Sequence, residues 1–334
     1  MRRQILAVMD SEESYAIRFM EHVNRKKTTP FEVHAFTDKE KLREYAANHR
    51  VEILLISEHD LEEGCSYPAG QIVVLSDRSD QGGLYPNVCK YQASSAVMRE
   101  VMEVYGRQAE DSESTAGAVI KPPMKIIGIF SPVGRCGKTA FALSLGQCLA
   151  KSKAALYFNF ETDSGLRPLL RGTWDRDISD LIYYMRRGDR SLAVRLLPLI
   201  RELGSLGIVP PCPSPAELYG VETEEWHRLF ESLRRDSSYE ALILDLGELP
   251  LFNPEILDEC DLIYMPVKND ETARAKISQF EEELRYRDLD LHPRTRYLQI
   301  PQVKLPASQG RWLERLAYGP VGHYAEGCIS RDGL

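Results

Sequence analysis

One segment constrains the fold of this chain more than any other, because a predicted strand, a glycine-bearing loop and an apolar helix follow one another without interruption. The strand is Lys125–Phe130, the loop is Ser131–Thr139, and the helix begins at Lys138, inside the Gly-Lys-Thr end of the loop. In such a segment the backbone N–H groups of the loop and of the helix N-terminus can point at phosphate oxygens. The pattern predicts a phosphate-binding loop in a parallel α/β sheet.

The residue types of this loop fit a nucleotide bound together with Mg²⁺. We expect Lys138 to neutralise the β- and γ-phosphates of ATP and Thr139 to hold the metal ion. The loop departs from the GxxxxGK[ST] pattern at Pro132, which stands where the first glycine belongs. A plain strand-to-helix turn is the alternative, since Gly-Lys-Thr also recurs by chance. The predicted nucleotide-binding residues are Gly134, Arg135, Cys136, Gly137, Lys138, Thr139 and Ala140.

Strand and helix patterns continue after this loop and add a second candidate metal ligand. The predicted strands are 125–130, 155–160, 207–209, 241–246, 262–267 and 296–300, and further helices are predicted near 180–187, 224–235 and 271–286. Asp245 lies at the end of an apolar strand, where a water-mediated contact with Mg²⁺ is expected. A strand-terminal aspartate without function is the alternative. The series predicts the mostly parallel sheet of a P-loop NTPase over 124–334.

Residues 1–107 carry a separate, shorter series of strands and helices. The predicted strands are Ile5–Met9, Phe31–Phe36, Val51–Ile56 and Gln71–Leu75, each short enough to be buried on both faces. The second helix is predicted to open with Thr37 and Glu40, which have capping-box spacing. The series predicts a small open sheet, for which the flavodoxin-like order is a good candidate. Residues 108–123, rich in Ser, Ala, Glu and Pro, are predicted to be a linker.

Composition and charge favour a folded, cytoplasmic protein and exclude several kinds of site. Apolar residues make up 43% and charged residues 28% of the 334 positions. No apolar run approaches the roughly 18 residues of a membrane span. Acidic residues follow the first nine residues before the apolar region of a secretory signal develops. The seven cysteines form no CxxC pair, and HExxH and GxSxG motifs are absent, which argues against zinc sites and serine hydrolases. A net charge of −8 offers no basic half for nucleic acid.

The phosphate loop resembles that of the MinD/ParA branch of P-loop ATPases, whose deviant loop has the sequence KGGxGKT. Here the stretch is Val133-Gly134-Arg135-Cys136-Gly137-Lys138-Thr139. The resemblance puts Val133 in the place of the family's signature lysine, which reaches the partner subunit's nucleotide. It puts Arg135 in the place of the second glycine, where its guanidinium would either supply the lost charge or block the nucleotide interface of the dimer.

Three further stretches extend this resemblance over most of residues 124–300. The family's acidic pair after the second strand, Asp-x-Asp, is Asn159-Phe160-Glu161 here, so that Glu161 keeps a negative group for orienting water. Asp245 in YEALILDLG matches the third motif, and CDLIYMPVKND follows the family's acidic, apolar, Pro-Val pattern. The resemblance implies ATP and Mg²⁺ as ligands, Thr139 and Asp245 at the metal, and Glu161 and Arg135 as catalytic residues.

Residues 1–107 resemble a response-regulator receiver domain in order and size. Asp10 and Glu12, Ser76, and Lys90 lie where a receiver carries its acidic cluster, hydroxyl and lysine, but Ser57 stands where the phosphoacceptor aspartate belongs. Serine cannot form the acyl phosphate that makes a receiver a switch. The resemblance therefore implies a pseudo-receiver used for packing or docking, and a phosphorylated switch is the alternative.

A pseudo-receiver placed before a MinD/ParA-like ATPase is the arrangement of the CpaE/TadZ proteins, which help to place Tad (Flp) pilus assembly machinery, often at a cell pole. The resemblance implies an ATP-binding homodimer that serves as a localisation or scaffold factor for pilus or secretion assembly proteins, with slow or absent hydrolysis. The alternatives are a ParA-like DNA-partitioning ATPase, a MinD-like division-site ATPase and a metabolic P-loop enzyme.

Two surface features bear on these alternatives. For nucleic acid, the candidate surface is the arginine-rich stretch 167–195, whose mixed charges are also typical of an ordinary solvated face, so there is no strong case for binding. A short apolar stripe of Trp312, Leu313, Leu316 and Tyr318, interrupted by Gly319 and Pro320, is predicted to dock on the core and not to form a MinD-like membrane tail.

Overall fold

The computed structural model describes the chain in several stretches that fall into two compact units. The described residues are 4–25, 29–62, 65, 67–77, 84–108, 123–170, 176–188, 192–302 and 312–334. The first unit is Met1–Ile120 and the second is Lys121–Leu334. The predicted linker, 108–123, lies outside the described residues except for its first and last positions, Gln108 and Pro123.

The first unit contains a parallel sheet with helices between its strands. Its described elements are β1 Gln4–Met9, α1 Glu13–Arg25, β2 Phe31–Phe36, α2 Lys39–Asn48, β3 Val51–Ser57, β4 Gln71–Ser76, β5 Asn87–Cys89 and α3 Ser94–Gln108. The strand order is β2-β1-β3-β4-β5, which is the flavodoxin-like order. The strands are nearly continuous apolar runs because the sheet is covered on both faces, on one of them by Ala16, Phe19 and Val23 of α1.

The four predicted strands of this unit agree with the structure to within one residue, but the predicted capping box is wrong. The N-cap of α2 is Asp38, whose backbone is extended and whose carboxylate accepts the N–H of Glu40 at 2.8 Å. Asp38 is one position closer to the helix than Thr37 and accepts a free backbone N–H of the first turn, so Thr37 is not needed as the cap. The short strand β5 was not predicted.

The second unit is a larger α/β layer structure. Its strands are β6 Lys125–Ile129, β7 Ala155–Asn159, β8 Arg201–Leu203, β9 Leu206–Val209, β10 Ala241–Asp245, β11 Leu262–Pro266 and β12 Thr295–Leu298. Its α-helices are α4 Lys138–Leu149, α5 Leu166–Leu169, α6 Ile178–Arg186, α7 Leu192–Leu196, α8 Pro215–Tyr219, α9 Thr223–Asp236, α10 Glu271–Tyr286, α11 Trp312–Arg315 and α12 Pro320–Asp332. Short 3₁₀ helices lie at Leu197–Leu199, Leu249–Leu251, Pro254–Glu259, His292–Arg294 and Leu316–Tyr318.

The seven strands form one sheet in the order β12-β11-β6-β10-β7-β9-β8, parallel except for the edge pair β8–β9. Successive residues of a strand point to opposite faces, so β6 sends Ile126 into one core layer and Ile127 into the other. β10 does the same with Leu242 and Ile243. Burial on both faces explains why these strands are continuous apolar runs, as the sequence predicted for a mostly parallel sheet.

The C-terminal part of the chain docks on the second core, as predicted for the apolar stripe, and then forms a helix that was not predicted. Leu313 and Leu316 are buried against the same layer as α4, whereas Tyr318 is exposed and the side chain of Trp312 lies outside the described residues. Pro320 does not interrupt structure but stands in the first turn of α12, where its missing N–H has no cost. Within the described residues, no helix is both long and apolar enough to cross a membrane.

Candidate nucleotide site

The predicted site lies where three neighbouring strands of the second sheet end. Asp245, the last residue of β10, pairs with Ile129 of β6 on one side and with Asn159 of β7 on the other. The carboxyl ends of parallel strands share one edge of a sheet, and α/β proteins bind ligands at that edge. The loop after β6, Asp245 and the residues that follow β7 are therefore brought to one place.

The loop between β6 and α4 is built on left-handed backbone turns. Gly137, the N-cap of α4, has a φ of 89°, and a Cβ at that position would lie 3.3 Å from the side chain of Ile300. Arg135 also has a positive φ, 54°, although a side chain in this conformation costs about 1 kcal/mol. Position 135 is where the MinD/ParA loop has a glycine. The backbone thus keeps a glycine-like turn even though the residue is arginine.

Lys138 folds its side chain back over this loop. Its Nζ donates to the carbonyl oxygens of Ser131 at 3.4 Å and Val133 at 3.3 Å. The thiol of Cys136 donates to the same Val133 carbonyl at 3.1 Å. The ammonium therefore lies within the turn of the loop, where phosphate oxygens could replace backbone carbonyls as its acceptors. Gly134 is exposed at the tip of the loop.

Thr139 and two carboxylates form the candidate metal site. The hydroxyl of Thr139 donates to Oε2 of Glu161 at 3.1 Å. Asp245 is fully buried, and its Oδ1 has no hydrogen-bond partner among the described residues. A buried carboxylate oxygen is costly unless a cation or a water meets it, and Mg²⁺ prefers such oxygen ligands. Thr139 and Asp245 fit a magnesium ion, which would neutralise charge on bound phosphates.

Strand β7 fixes the other oxygen of Asp245. Oδ2 accepts hydrogen bonds from the hydroxyl of Tyr157 at 3.0 Å and from Nδ2 of Asn159 at 3.1 Å. Nδ2 of Asn159 also lies 2.8 Å from the Tyr157 hydroxyl, and its Oδ1 accepts the backbone N–H of Glu161 at 3.1 Å. Asn159 stands where the resembled family has a carboxylate. In this chain it orients Asp245 and Glu161 and adds no charge.

Burial governs protonation in this network. Burial, reinforced by the negative charge of Glu161, raises the pKa of Asp245 to about 6, although Thr139, Tyr157 and Lys138 oppose the shift. Burial and the neighbouring Asp245 raise the pKa of Tyr157 well above its usual value, so its hydroxyl stays a donor. At neutral pH the site therefore holds an ionised carboxylate in a costly environment, which a bound cation would relieve.

Close packing holds Glu161 beside this carboxylate. Gly247 has a φ of 55°, and a Cβ on it would lie 2.5 Å from the Cα of Glu161. The backbone N–H of Phe160 donates to the carbonyl of Asp245 at 2.8 Å. The chain segments that leave β7 and β10 are thus locked together, which fixes the spacing of the two carboxylates.

The remaining predicted site residues have different surroundings. Val133 is only 5% exposed, so its side chain is packed inside the unit. Arg135 is exposed, and no described residue pairs with its guanidinium. Ala140 is partly buried against the core layer that contains α4. The described contacts therefore bring Lys138, Thr139, Glu161 and Asp245 together but do not tie Arg135 to them.

Two residues of the site were not predicted from the sequence. Tyr157 lies inside an apolar strand, and the partner of its hydroxyl becomes visible only when β7 pairs with β10. Lys268 lies far along the chain, yet its Nζ donates to the carbonyl of Gly134 at 3.0 Å. The available sequence signal for Tyr157 was its position two residues before the polar end of a strand. The signal for Lys268 was its position just after an apolar strand.

The corresponding edge of the first unit holds a closed ion cluster. Nζ of Lys90 lies 2.7 Å from Oδ2 of Asp10 and 2.9 Å from Oε2 of Glu12. Burial opposes the charged form of Lys90, but its hydrogen bonds to the two carboxylates outweigh that effect and raise its pKa. Ser57 and Ser76 are buried at the ends of β3 and β4. The acidic pair is therefore already occupied by a cation of the chain itself.

The arginine-rich stretch 167–195 lies partly outside the described residues. Arg171 and Arg190 and the side chain of Arg167 lie outside the described residues. Arg186 pairs with Glu225 at 2.8 Å, and Arg195 lies over the ring of Tyr184. These two arginines have local partners in the unit, as expected for a mixed-charge surface.

No protein-family model and no curated protein matches the sequence. The chain is similar in structure to a ParA family ATPase from Chlorobium tepidum TLS, with 17% sequence identity and a TM-score of 0.44 over 52% of this chain and 72% of that chain. It is also similar to the MinC:MinD cell division protein complex of Aquifex aeolicus, with 16% identity and a TM-score of 0.40 over 52% and 67% of the two chains.

A third similar structure is cobyrinic acid a,c-diamide synthase from Mycobacterium smegmatis with a bound ATP analogue and magnesium. Its sequence identity is 15% and its TM-score 0.40, over 52% of this chain and 72% of that chain.

Proposed function

We propose that residues 124–334 bind ATP together with Mg²⁺ at the loop between β6 and α4. The observation that carries this proposal is the fully buried Asp245, whose Oδ1 has no hydrogen-bond partner among the described residues, at the edge where Lys138 and Thr139 begin a helix. A strand-to-helix turn without function would not need an ionisable carboxylate buried beside a lysine and a hydroxyl. A triphosphate with its metal ion supplies both the anion for Lys138 and the cation for Asp245.

We further propose that hydrolysis is slow or absent. The family's signature lysine corresponds to Val133, which is packed inside the unit, and the first carboxylate of its acidic pair is the amide Asn159. Glu161 is the remaining candidate for orienting an attacking water. Two parts of the hydrolytic machinery are thus replaced by groups without charge, while the nucleotide-binding groups are retained.

The test of this proposal is the affinity for ATP–Mg²⁺ of the full chain and of the Lys138→Ala variant. We expect the substitution to weaken binding by about 2 kcal/mol or more, because hydrogen bonds to charged groups contribute roughly 1.5–3 kcal/mol. Lys276→Ala is the matched control, since Lys276 is an exposed lysine on α10. Equal affinities of the wild type and Lys138→Ala in calorimetry would remove the phosphate-loop interpretation.

On a larger scale, we propose that the chain is a nucleotide-dependent homodimer that localises or scaffolds Tad (Flp) pilus or secretion machinery, in the cytoplasm at the cell pole or the inner face of the membrane. Support comes from the resemblance of the loop and of the β10 motif, and from the flavodoxin-like strand order of the first unit. A fluorescent fusion should form polar foci that Lys138→Ala disperses. Diffuse fluorescence of the wild type would contradict this role.

A DNA-partitioning ATPase is the second candidate, favoured only by the arginines of 167–195. ATP turnover measured with and without duplex DNA separates the two candidates. Turnover that DNA does not change supports the assembly role, whereas clear stimulation by DNA supports partitioning.

For the first unit we propose a pseudo-receiver that serves as a docking or packing module. Ser57 cannot form an acyl phosphate, and the acidic pair Asp10 and Glu12 is neutralised by Lys90. We expect acetyl phosphate and beryllofluoride to leave the unit unchanged, as judged by mass spectrometry and by amide NMR shifts of residues 1–107. A stoichiometric acyl phosphate on any carboxylate of this range would overturn the proposal.

A further inference from the structure

Lys268 is brought to the phosphate loop by the pairing of two strands that are distant in sequence. β11 runs parallel to β6, with Ile263 paired to Gly128, and the backbone N–H of Phe130 donates to the carbonyl of Tyr264 at 3.1 Å. The segments that follow β6 and β11 therefore leave the sheet at the same edge. Lys268 is the second residue after β11, and its Nζ lies 3.0 Å from the carbonyl oxygen of Gly134.

The backbone around Lys268 is fixed on both sides. The N–H of Val267 donates to the carbonyl of Leu298 at 2.8 Å, which extends the pairing of β11 with β12. Two residues after Lys268, the carboxylate of Asp270 caps α10 by accepting the N–H of Ala273 at 2.8 Å. The lysine thus projects from a short segment between a strand and a helix start, and its half-buried side chain has a defined base.

The charges of the site leave a role for a second cation. The same end of the sheet holds Lys138 and the carboxylates of Asp245 and Glu161, so the three groups together carry net negative charge before a triphosphate arrives. Val133, in the place of the family's lysine, brings no charge. An ammonium has three donors, and the described contact of Lys268 uses one of them, on the loop that would surround the phosphates.

From these observations we infer that Lys268 is a second phosphate-binding lysine, supplied by the same subunit. The inference rests on the proposed nucleotide function and adds a residue to it. Lys268 would bind the terminal phosphates while its remaining donors hold the tip of the loop at Gly134. In this arrangement the chain itself supplies a second positive charge for phosphate binding.

A purely structural tie between Lys268 and the loop is the competing explanation, and the two differ in their dependence on phosphate number. A structural tie would affect all nucleotides equally, whereas a charge acts on the terminal phosphates and is weakened by salt. The Lys268→Gln variant separates the two, because glutamine keeps a donor for the Gly134 carbonyl and loses the charge. Lys268→Arg keeps the charge, and Lys276→Ala again controls for the loss of a surface lysine.

The experiment is calorimetry on the full-length wild type and these variants with ATP–Mg²⁺, ADP–Mg²⁺ and AMP, at low and high salt. We expect Lys268→Gln to weaken ATP binding about tenfold, the lower end for a hydrogen bond to a charged group, to weaken ADP binding less and to leave AMP binding unchanged. Lys268→Arg should stay within about threefold of the wild type, and the ATP difference should shrink at high salt.

Each outcome decides between the explanations. Equal losses for ATP, ADP and AMP would assign Lys268 to a structural tie, and no loss at all would remove it from the site. Either result overturns the inference and leaves the proposed function intact. A wild-type chain that binds no nucleotide would instead refute the proposed function itself, and the inference with it. If Lys268→Gln proves unstable to heat, Lys268→Ala measured with ATP and AMP gives the same comparison, because a lost structural tie weakens both ligands equally whereas a lost charge weakens ATP alone.

Discussion

Asp245 is both buried and ionised at neutral pH, and these two properties conflict when no ligand is bound. It is fully buried, and one of its oxygens has no partner among the described residues, yet Lys138 and the neighbouring donors keep it from being neutral at physiological pH. Its pKa lies at about 6 instead of the ordinary 3.8. Because this pKa is raised on folding, the stability that the protonated group contributes is complete below about pH 4 and is lost as the pH rises through about 6.

Asp245→Asn should therefore make the nucleotide-free protein more stable above pH 6. We expect a gain of about 3 kcal/mol in the free energy of unfolding at neutral pH, in proportion to the pKa shift, and a smaller gain towards pH 4. Asparagine can still accept the hydrogen bonds of Tyr157 and Asn159. Urea unfolding followed by tryptophan fluorescence reports this change, since all three tryptophans of the chain lie in the second unit.

The same variant should lose the effect of Mg²⁺ on ATP affinity, because the substituted side chain no longer offers the metal a charged ligand. Higher stability together with lost metal dependence is what a ligand-binding carboxylate predicts. A variant that is less stable than the wild type at pH 7, or that keeps full metal dependence, would show that Asp245 is a structural residue.

At the scale of residues, the sequence was enough to predict the site groups that lie at or after strand ends. It was not enough to predict the groups that reach the site only through the pairing of strands in the sheet. Lys138, Thr139 and Glu161 follow β6 and β7, and Asp245 is the last residue of β10, so a local pattern is enough to find them. The lysine after β11 and the tyrosine within β7 contact the site only because strands distant in sequence are neighbours in the sheet. The left-handed backbone of Arg135 was hidden as well, because arginine gives no sign of a glycine-like turn.

At the scale of elements, α12 supports the helix that carries the phosphate-binding residues. Nε2 of Gln147 on α4 donates to the carbonyl of Leu313 at 2.7 Å, and α12 packs along α4 beyond this contact. Gly322 in the first turns of α12 lies against the preceding 3₁₀ helix so closely that a Cβ would be 2.1 Å from the carbonyl oxygen of Ala317. Backbone cannot rotate away as a side chain can, so this approach requires glycine.

Gly322→Ala should destabilise the second unit by about 1–3 kcal/mol, the range for overpacking a close contact. Gly327→Ala is the matched control on the same helix, because a Cβ there meets nothing within 4 Å. The control should be neutral or up to about 1 kcal/mol more stable, since alanine favours helix. Urea midpoints that are the same for both variants would contradict the close packing of α12.

Two physical reasons explain why β5, β8 and α12 were not predicted from the sequence. β5 and β8 have three residues each, too few for a period-two pattern to emerge. α12 was missed because Gly319 and Pro320 were interpreted as an interruption, whereas proline is also at home in the first turn of a helix. Long strands buried on both faces were located well, since continuous apolar runs leave little choice of boundary.

At the scale of the whole molecule, the two units differ in whether the carboxylates at the carboxyl ends of their strands have a cationic partner. In the first unit Lys90 already neutralises the acidic pair, and no carboxylate ends β3. In the second unit, Oδ1 of the buried Asp245 has no hydrogen-bond partner among the described residues. This difference supports the proposals that the second unit binds a nucleotide and that the first unit serves for docking or packing.

Turnover tests this view of the whole chain. In phosphoryl transfer, loss of a cationic group that neutralises the transition state costs factors of about 10³–10⁵, and Val133 supplies no such group. We expect the protein to bind ATP and dimerise while hydrolysing it barely or not at all, as measured by phosphate release and by sedimentation with and without ATP–Mg²⁺. If the exposed Arg135 replaces the missing lysine, Arg135→Ala should abolish the residual turnover and leave binding largely intact. Turnover of about 1 s⁻¹ or faster that survives Arg135→Ala would contradict both versions, and a strictly monomeric ATP-bound protein would remove the dimer.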